Sequence, residues 1–185
     1  VPVISMITRL VSQKGIDLVA AVIEDILKMD VQLIVLGTGD HDYQDFFEYY
    51  ASSYPGKIAS FIKFDDALAS KIYAGSDMFL MPSLFEPCGL SQIIAMSYGT
   101  LPIVRETGGL SDTVIPYNEF TGEGNGFSFT NYNAYDMLHV IEYAVNCFKD
   151  KKNWAKLVKN AMRTKFEWKT QAEEYLKIYN EILEA

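Results

Sequence analysis

Val3-Ile4-Ser5-Met6-Ile7-Thr8-Arg9-Leu10-Val11-Ser12-Gln13-Lys14-Gly15 is the stretch whose reading decides the fold. Residues 3–8 are a short, mainly apolar run, and a polar loop closed by Gly15 follows. Over 16–29 the pattern changes: Ile16, Val19, Ala20, Ile23 and Ile26 or Leu27 fall on one stripe of a helix. Residues 32–37 then return to near-continuous apolarity. Apolar side chains at successive rather than alternate positions mean burial on both faces, as in a parallel sheet covered by helices.

The same grammar repeats downstream. Strands are predicted over 58–63, 78–81 and 101–104, and helices over 43–53, 67–74 and 90–98, the last running up to a stop glycine at Gly99. A glycine-rich stretch from Gly108 to Gly126 shows little periodicity, and helices over 134–149, 152–162 and 170–183 complete the chain. Strand–helix–strand units of this kind connect by right-handed crossovers, so the expectation is an α/β protein with a Rossmann-like, doubly wound parallel sheet. No linker or repeat divides the chain, and one domain over 1–185 is expected.

Composition narrows the function classes. The chain has 185 residues, with 49% hydrophobic and 22% charged, an ordinary globular balance. A formal charge of −8 argues against nucleic acid or an anionic membrane surface as partner, since both select a basic face. Cys88 and Cys147 are too few for a disulfide framework, and with only His41 and His139 no metal-ligand pattern emerges. Asp65-Asp66 are adjacent carboxylates suited to a helix start rather than to chelation, so neither a metal nor a cofactor is expected. No apolar run approaches the roughly 20 residues that cross a bilayer. Val1-Pro2-Val3-Ile4 enters a strand at once and is not a signal or transit peptide, which reads as a cytoplasmic fragment.

In a doubly wound sheet, ligands bind outside the carboxyl ends of the strands. Thr8 to Gly15 carries Arg9 and Lys14, two cations suited to a phosphate. Gly37-Thr38-Gly39 offers unencumbered backbone amides at the second strand, without the third glycine of a dinucleotide fingerprint. Pro82-Ser83-Leu84-Phe85-Glu86-Pro87-Cys88-Gly89-Leu90-Ser91-Gln92 places a carboxylate between two prolines ahead of a helix. Arg105-Glu106-Thr107-Gly108-Gly109-Leu110-Ser111-Asp112 supplies another glycine turn. Each loop alone reads as a solvated turn. All four at strand ends, on one side of the sheet, point to a phosphate-bearing ligand.

These segments resemble the C-terminal half of bacterial glycogen synthases and plant starch synthases. The resemblance is carried by Thr8-Arg9-Leu10, Gln13-Lys14-Gly15, Tyr73-Ala74-Gly75-Ser76-Asp77, the run from Pro82 to Gln92, Tyr98-Gly99-Thr100-Leu101-Pro102, and Arg105 to Asp112. Phe166-Glu167-Trp168, followed by Ala172, Tyr175 and Tyr179, resembles that family's last helix. The family implies a two-domain GT-B glycosyltransferase that moves glucose from ADP-glucose to the non-reducing end of an α-1,4-glucan with retention of configuration. By resemblance, Arg9 and Lys14 contact the diphosphate and Glu86 the donor glucose. Cys88, Gly89 and Leu90 line the sugar pocket, Thr107, Gly108 and Gly109 approach the phosphates, and Gly37, Thr38 and Gly39 sit beside the nucleotide.

Two positions depart from the broader pattern. Ile94 stands where many retaining transferases carry a second glutamate, and Phe64 stands where some members stack a tyrosine on adenine. A phenyl ring keeps the stacking and loses only the hydroxyl. The family's Lys-x-Gly-Gly-Leu motif and its acceptor-side half are absent from this sequence. The expectation is therefore a domain that binds ADP or ADP-glucose but does not turn over alone, with residues 168–185 packing on an N-terminal domain and the glucan held mainly there. The rivals are a retaining transferase using UDP-glucose and a nucleotide-sugar-binding module without catalysis.

Overall fold

The computed structural model describes residues 1–166 and 168–184. Glu167, in the family-like Phe166-Glu167-Trp168 run, and Ala185 lie outside the described residues. The strands are β1 (Val3–Ile7), β2 (Gln32–Leu36), β3 (Ile58–Phe61), β4 (Met78–Met81), β5 (Leu101–Arg105) and β6 (Phe127–Phe129). The helices are α1 (Ile16–Lys28), α2 (His41–Ser53), α3 (Asp66–Gly75), α4 (Ser91–Ser97), α5 (Gly109–Thr113), α6 (Ala134–Lys149), α7 (Lys151–Arg163) and α8 (Trp168–Glu184), with one 3-10 turn at Ser12–Lys14.

All strand pairs are parallel, in the order β3-β2-β1-β4-β5-β6. Val3 lies opposite Gln32, and Ile4 opposite Met78, so β1 sits between the two halves of the sheet. Crossovers leave β1 toward β2 on one side and return to β4 on the other. That reversal of strand order opens a crevice at the carboxyl ends of β1 and β4.

The two faces of the sheet bury different partners. Ile4, Met6, Met78 and Leu80 join the large core with α1, Phe47 of α2, α6 and α7. Phe79 points the other way and packs with Tyr73 of α3 and Ala95 of α4, while Val104 packs with Leu110 of α5. Burial on both faces explains why these strands read as continuous apolar runs. Ser5 is buried among them without cost because its hydroxyl donates to the Met78 carbonyl at 3.3 Å.

Side-chain caps fix the starts of α3, α6 and α7. Asp65 accepts from the Leu68 amide at 2.9 Å and opens α3, the helix-start role assigned to Asp65-Asp66. Asn133 accepts from the amides of Tyr135 and Asp136 to open α6, and Asp150 from those of Lys152 and Asn153 to open α7. The differences from expectation are local. α2 begins at His41, two residues early, and α4 is one residue shorter at each end than predicted, ending at Ser97 with Tyr98 as its C-cap ahead of Gly99. The sequence pattern does not anticipate β6 and α5: three and five residues, respectively, are too short to show a period within a glycine-rich segment.

Candidate functional site

The crevice is walled by the loops that leave β1 and β4, and these loops are tied to each other. The Leu84 amide donates to the Gln13 carbonyl at 2.9 Å, and Gln13 Nε2 donates to the Phe85 carbonyl at 3.2 Å. Lys14 Nζ donates to Glu86 Oε2 at 2.5 Å, and the Ser83 hydroxyl reaches the same oxygen at 3.4 Å. Glu86 is only 8% exposed, and the Lys14 ammonium is the cation paired with its carboxylate. Glu86 Oε1 has no protein donor among the described residues. A hollow of about 60 Å3 lies here, bordered by Thr8, Lys14, Ser83, Glu86, Gly89 and Leu90.

A second hollow, of about 220 Å3, adjoins it across β1 and β2. Arg9, Thr38, Lys63 and Phe64 line it, and Ile7 and Thr8 border both hollows, making one trough across the carboxyl ends of β2, β1 and β4. Arg9 is exposed, and the Phe64 ring stands 85% exposed at the rim. Lys63 Nζ bonds Asp65 at 2.7 Å. This bond, with the Leu68 amide second, holds the Asp65 carboxyl below the ordinary carboxylate range.

The glycine turns do different work from the one expected. The Gly37 amide donates to the Phe61 carbonyl at 3.1 Å, and the Gly39 amide donates to Gln44 Oε1 at 3.2 Å. Neither N–H is left for a ligand. A side chain at either position would strike the Thr8 or Leu10 carbonyl, so these glycines let the β1 and β2 loops lie against each other. Thr38 still borders the trough. Likewise the Gly109 amide is shared between the Glu86 and Pro87 carbonyls, at 3.2 Å each, and fastens the Glu86 loop. The amides of Thr107 and Gly108 have no acceptor among the described residues. Cys88 and Leu90 are exposed beside Gly89. Gln92, fully buried, donates to the Cys88 and Gly89 carbonyls at 3.2 and 2.9 Å and fixes that turn from below.

Arg105 reads from the sequence only as part of a turn, yet it braces the Glu86 loop. Its guanidinium donates to the carbonyls of Ser83 at 2.9 Å, Leu84 at 2.5 Å and Thr130 at 3.3 Å, and lies 5.7 Å from the centre of the Tyr132 ring. The Tyr132 hydroxyl donates to Asp17 Oδ1 at 2.5 Å, which ties the brace to α1, behind Lys14. Burial first, then the bond to Asp17, pushes the Tyr132 hydroxyl above its usual range and keeps it a donor. Only an arginine fork at the end of a strand, facing two successive loop carbonyls, could have signalled this. Arg105→Ala is expected to lower the unfolding free energy by about 2 kcal/mol. Arg105→Lys should recover less than half of that, because one ammonium does not span the carbonyls; urea unfolding measures both.

Among the described residues no group of three or more His, Cys, Asp or Glu side chains is placed to hold a metal ion. Residues 1–161 match the family model described as glycosyl transferases group 1. Glycogen synthase from Clostridioides difficile (strain 630) is 57% identical over 182 residues, covering 98% of this chain and 38% of the relative. Glycogen synthase from Bacillus anthracis is 57% identical over 183 residues, covering 99% and 38%. The chain thus spans under two-fifths of the length of these relatives. The catalytic domain of starch synthase IV from Arabidopsis thaliana, bound to ADP and acarbose, superposes with a TM-score of 0.88 and 37% identity over 100% of this chain and 39% of that one. Sucrose-phosphate synthase from Thermosynechococcus elongatus shares the fold at a TM-score of 0.72 and 23% identity, covering 98% of this chain and 45% of that one. A Rossmann-like sheet with its loops gathered at the switch point, and a family match across most of its length, place this chain in the glycosyl transferase group 1 family.

Proposed function

We propose that the chain is the nucleotide-sugar half of a glycogen or starch synthase. In this reading it holds ADP-glucose for transfer of glucose, with retention, to the non-reducing end of an α-1,4-glucan. The observation that carries this is the continuous trough in which Phe64, Arg9, Lys14 and Glu86 follow one another across the switch point. That order matches base, diphosphate and sugar. Phe64 offers a free ring face for adenine. Arg9 and Lys14 neutralise the diphosphate as charge develops on the departing ADP, the electrostatic contribution that usually dominates such steps. Lys14 carries three donors, so it can serve a phosphate and still hold Glu86. Glu86 Oε1 and the turn at Cys88, Gly89 and Leu90 then face the glucosyl unit. Thr107 and Gly108 add backbone donors on the phosphate side.

The starch synthase IV structure, which contains ADP, supports the choice of nucleotide. The remaining parts of the reading concern the rest of a longer enzyme. Tyr175, Leu176, Tyr179 and Leu183 of α8 are exposed, and this face is assigned to docking on an N-terminal domain that also holds the acceptor. No helix among the described residues is long and apolar enough to cross a membrane, and the same reading places the activity in the cytoplasm.

Calorimetric titration of the chain with ADP and with UDP tests the assignment. ADP is expected to bind with Kd at or below about 1 mM, and UDP about tenfold more weakly. Arg9→Ala and Phe64→Ala should each weaken ADP about tenfold, with no change in melting temperature because both side chains are exposed. Equal affinity for ADP and UDP would remove the glycogen-synthase reading and leave the wider family. No heat at millimolar ADP would remove the preformed site.

A further inference from the structure

Gln92 of α4 is fully buried behind the donor crevice, and the two ends of its carboxamide are used unevenly. Nε2 donates to the Cys88 carbonyl at 3.2 Å, the Gly89 carbonyl at 2.9 Å and the Thr113 hydroxyl at 3.1 Å. Oε1 is buried without a hydrogen-bond partner among the described residues. A buried amide oxygen in this state is costly, and an apolar side chain of the same volume would pack there without that cost. The polar end of Gln92 therefore has a task other than filling space.

Its surroundings allow the carboxamide one orientation. The Thr113 hydroxyl donates its proton to the Gly109 carbonyl at 2.7 Å, so it faces Gln92 as an acceptor. Turning the amide over would set Oε1 against three oxygens, none with a proton to give. The unpartnered oxygen is the consequence of keeping Nε2 on the two carbonyls.

That orientation decides what the turn presents to a ligand. In a planar trans peptide the N–H points opposite to the C=O. The Cys88 carbonyl shares its peptide with the Gly89 amide, and the Gly89 carbonyl shares its own with the Leu90 amide. With both carbonyls drawn onto the buried carboxamide, both N–H groups turn away from it. Gly89 and Leu90 border the hollow beside Lys14 and Glu86. Gly89 permits the close approach: its φ is +72°, and a Cβ there would stand 2.6 Å from Gln92 Oε1. Thr113 closes α5, whose Gly109 amide is fastened to the Glu86 and Pro87 carbonyls. α5 thus ties the loop carrying Glu86 and the turn at Gly89 into one unit.

We propose that Gln92 is a positioning residue for the donor sugar. It acts through the two peptides of the Cys88–Gly89–Leu90 turn, aiming the Gly89 and Leu90 N–H groups at the glucosyl hydroxyls, while Thr113 holds its carboxamide. The identity of the ligand rests on the proposed function; the setting of the turn rests on the hydrogen bonds alone.

Calorimetry of the chain with ADP and with ADP-glucose reads the sugar's share, and the amide NMR resonances of Gly89 and Leu90 report the turn without a ligand. Gln92→Met keeps the volume and removes the donors. It should weaken ADP-glucose about tenfold and ADP less than about twofold, and it should move both amide resonances. Should Gln92→Met fail to fold, Thr113 carries the same test. Thr113→Val is expected to weaken ADP-glucose about threefold at constant ADP affinity, and Thr113→Ser, which restores the hydroxyl, to regain the parent value. Equal losses of both ligands, amide resonances that stay in place, or a Thr113→Ser variant no better than Thr113→Val overturns the proposal. Absence of binding of either nucleotide to the unaltered chain would remove the proposed function and the sugar role with it. Binding by the unaltered chain with equal losses in Gln92→Met would remove this proposal alone.

Discussion

Gly15→Ala is expected to lower the melting temperature by about 6–12 °C, corresponding to about 3 kcal/mol at this chain length. Two terms add. Gly15 has φ of +72°, where a Cβ costs about 1–2 kcal/mol. That Cβ would also lie 2.1 Å from the Pro82 carbonyl oxygen, which is backbone and cannot swing aside. The Lys14 and Glu86 loops would have to separate, and the Leu84 amide would lose the Gln13 carbonyl. Two other glycines divide the terms. Gly56 has φ of +84° and nothing within 4 Å of where a Cβ would stand, so Gly56→Ala should lose only the conformational part, about 1 kcal/mol. Gly75 closes α3 with open space around it and no left-handed backbone, so Gly75→Ala should be neutral or gain a few tenths of a kcal/mol. Thermal unfolding of the three variants should rank them Gly15, Gly56, Gly75 from most to least damaged. Equal losses at Gly15 and Gly56 would mean that the Pro82 approach carries no energy.

Much of this architecture is legible in the sequence, and the reasons are physical. β1, β2, β4 and β5 are buried on both faces, and apolarity at successive positions leaves a trace that survives without knowledge of the partners. β6 leaves none: Phe127 and Phe129 are buried, but three residues beside Gly122, Gly124 and Gly126 make no recognisable run. At the site, the sequence places Arg9, Lys14 and Glu86 at strand ends because a parallel sheet gathers its loops there. It is silent on what those loops do to one another. The Lys14–Glu86 pair spans 72 positions, and the Arg105 fork reaches 22 positions back to Ser83. Nor does a glycine announce whether its amide faces a ligand. At Gly37 and Gly39 the amides are consumed by Phe61 and Gln44, and the missing side chain serves a loop-to-loop contact instead.

Lys14→Met should destabilise the chain by about 3 kcal/mol, near the lower end for removing one member of a buried pair. The side chains of Lys14 and Glu86 are 17% and 11% exposed, so water cannot replace the lost ammonium well. The Ser83 hydroxyl, at 3.4 Å, is too distant to compensate a full charge. If unpaired charge is the cause, adding Glu86→Gln should restore stability to within about 1 kcal/mol of the parent, because a neutral amide needs only hydrogen bonds. Ligand binding should not follow stability. ADP affinity should fall at least about tenfold in Lys14→Met and stay low in the Lys14→Met/Glu86→Gln double variant, since the cation proposed to meet the diphosphate is missing from both. Denaturant unfolding and ADP titration of the two singles and the double complete the cycle. Recovery of both properties together would make Lys14 a purely structural partner of Glu86. Recovery of neither would mean that the methionine disrupts the Ser12–Lys14 turn rather than the pair. Recovery of stability alone separates the two tasks of one ammonium: neutralising Glu86 while the crevice is empty, and meeting the diphosphate when it is filled.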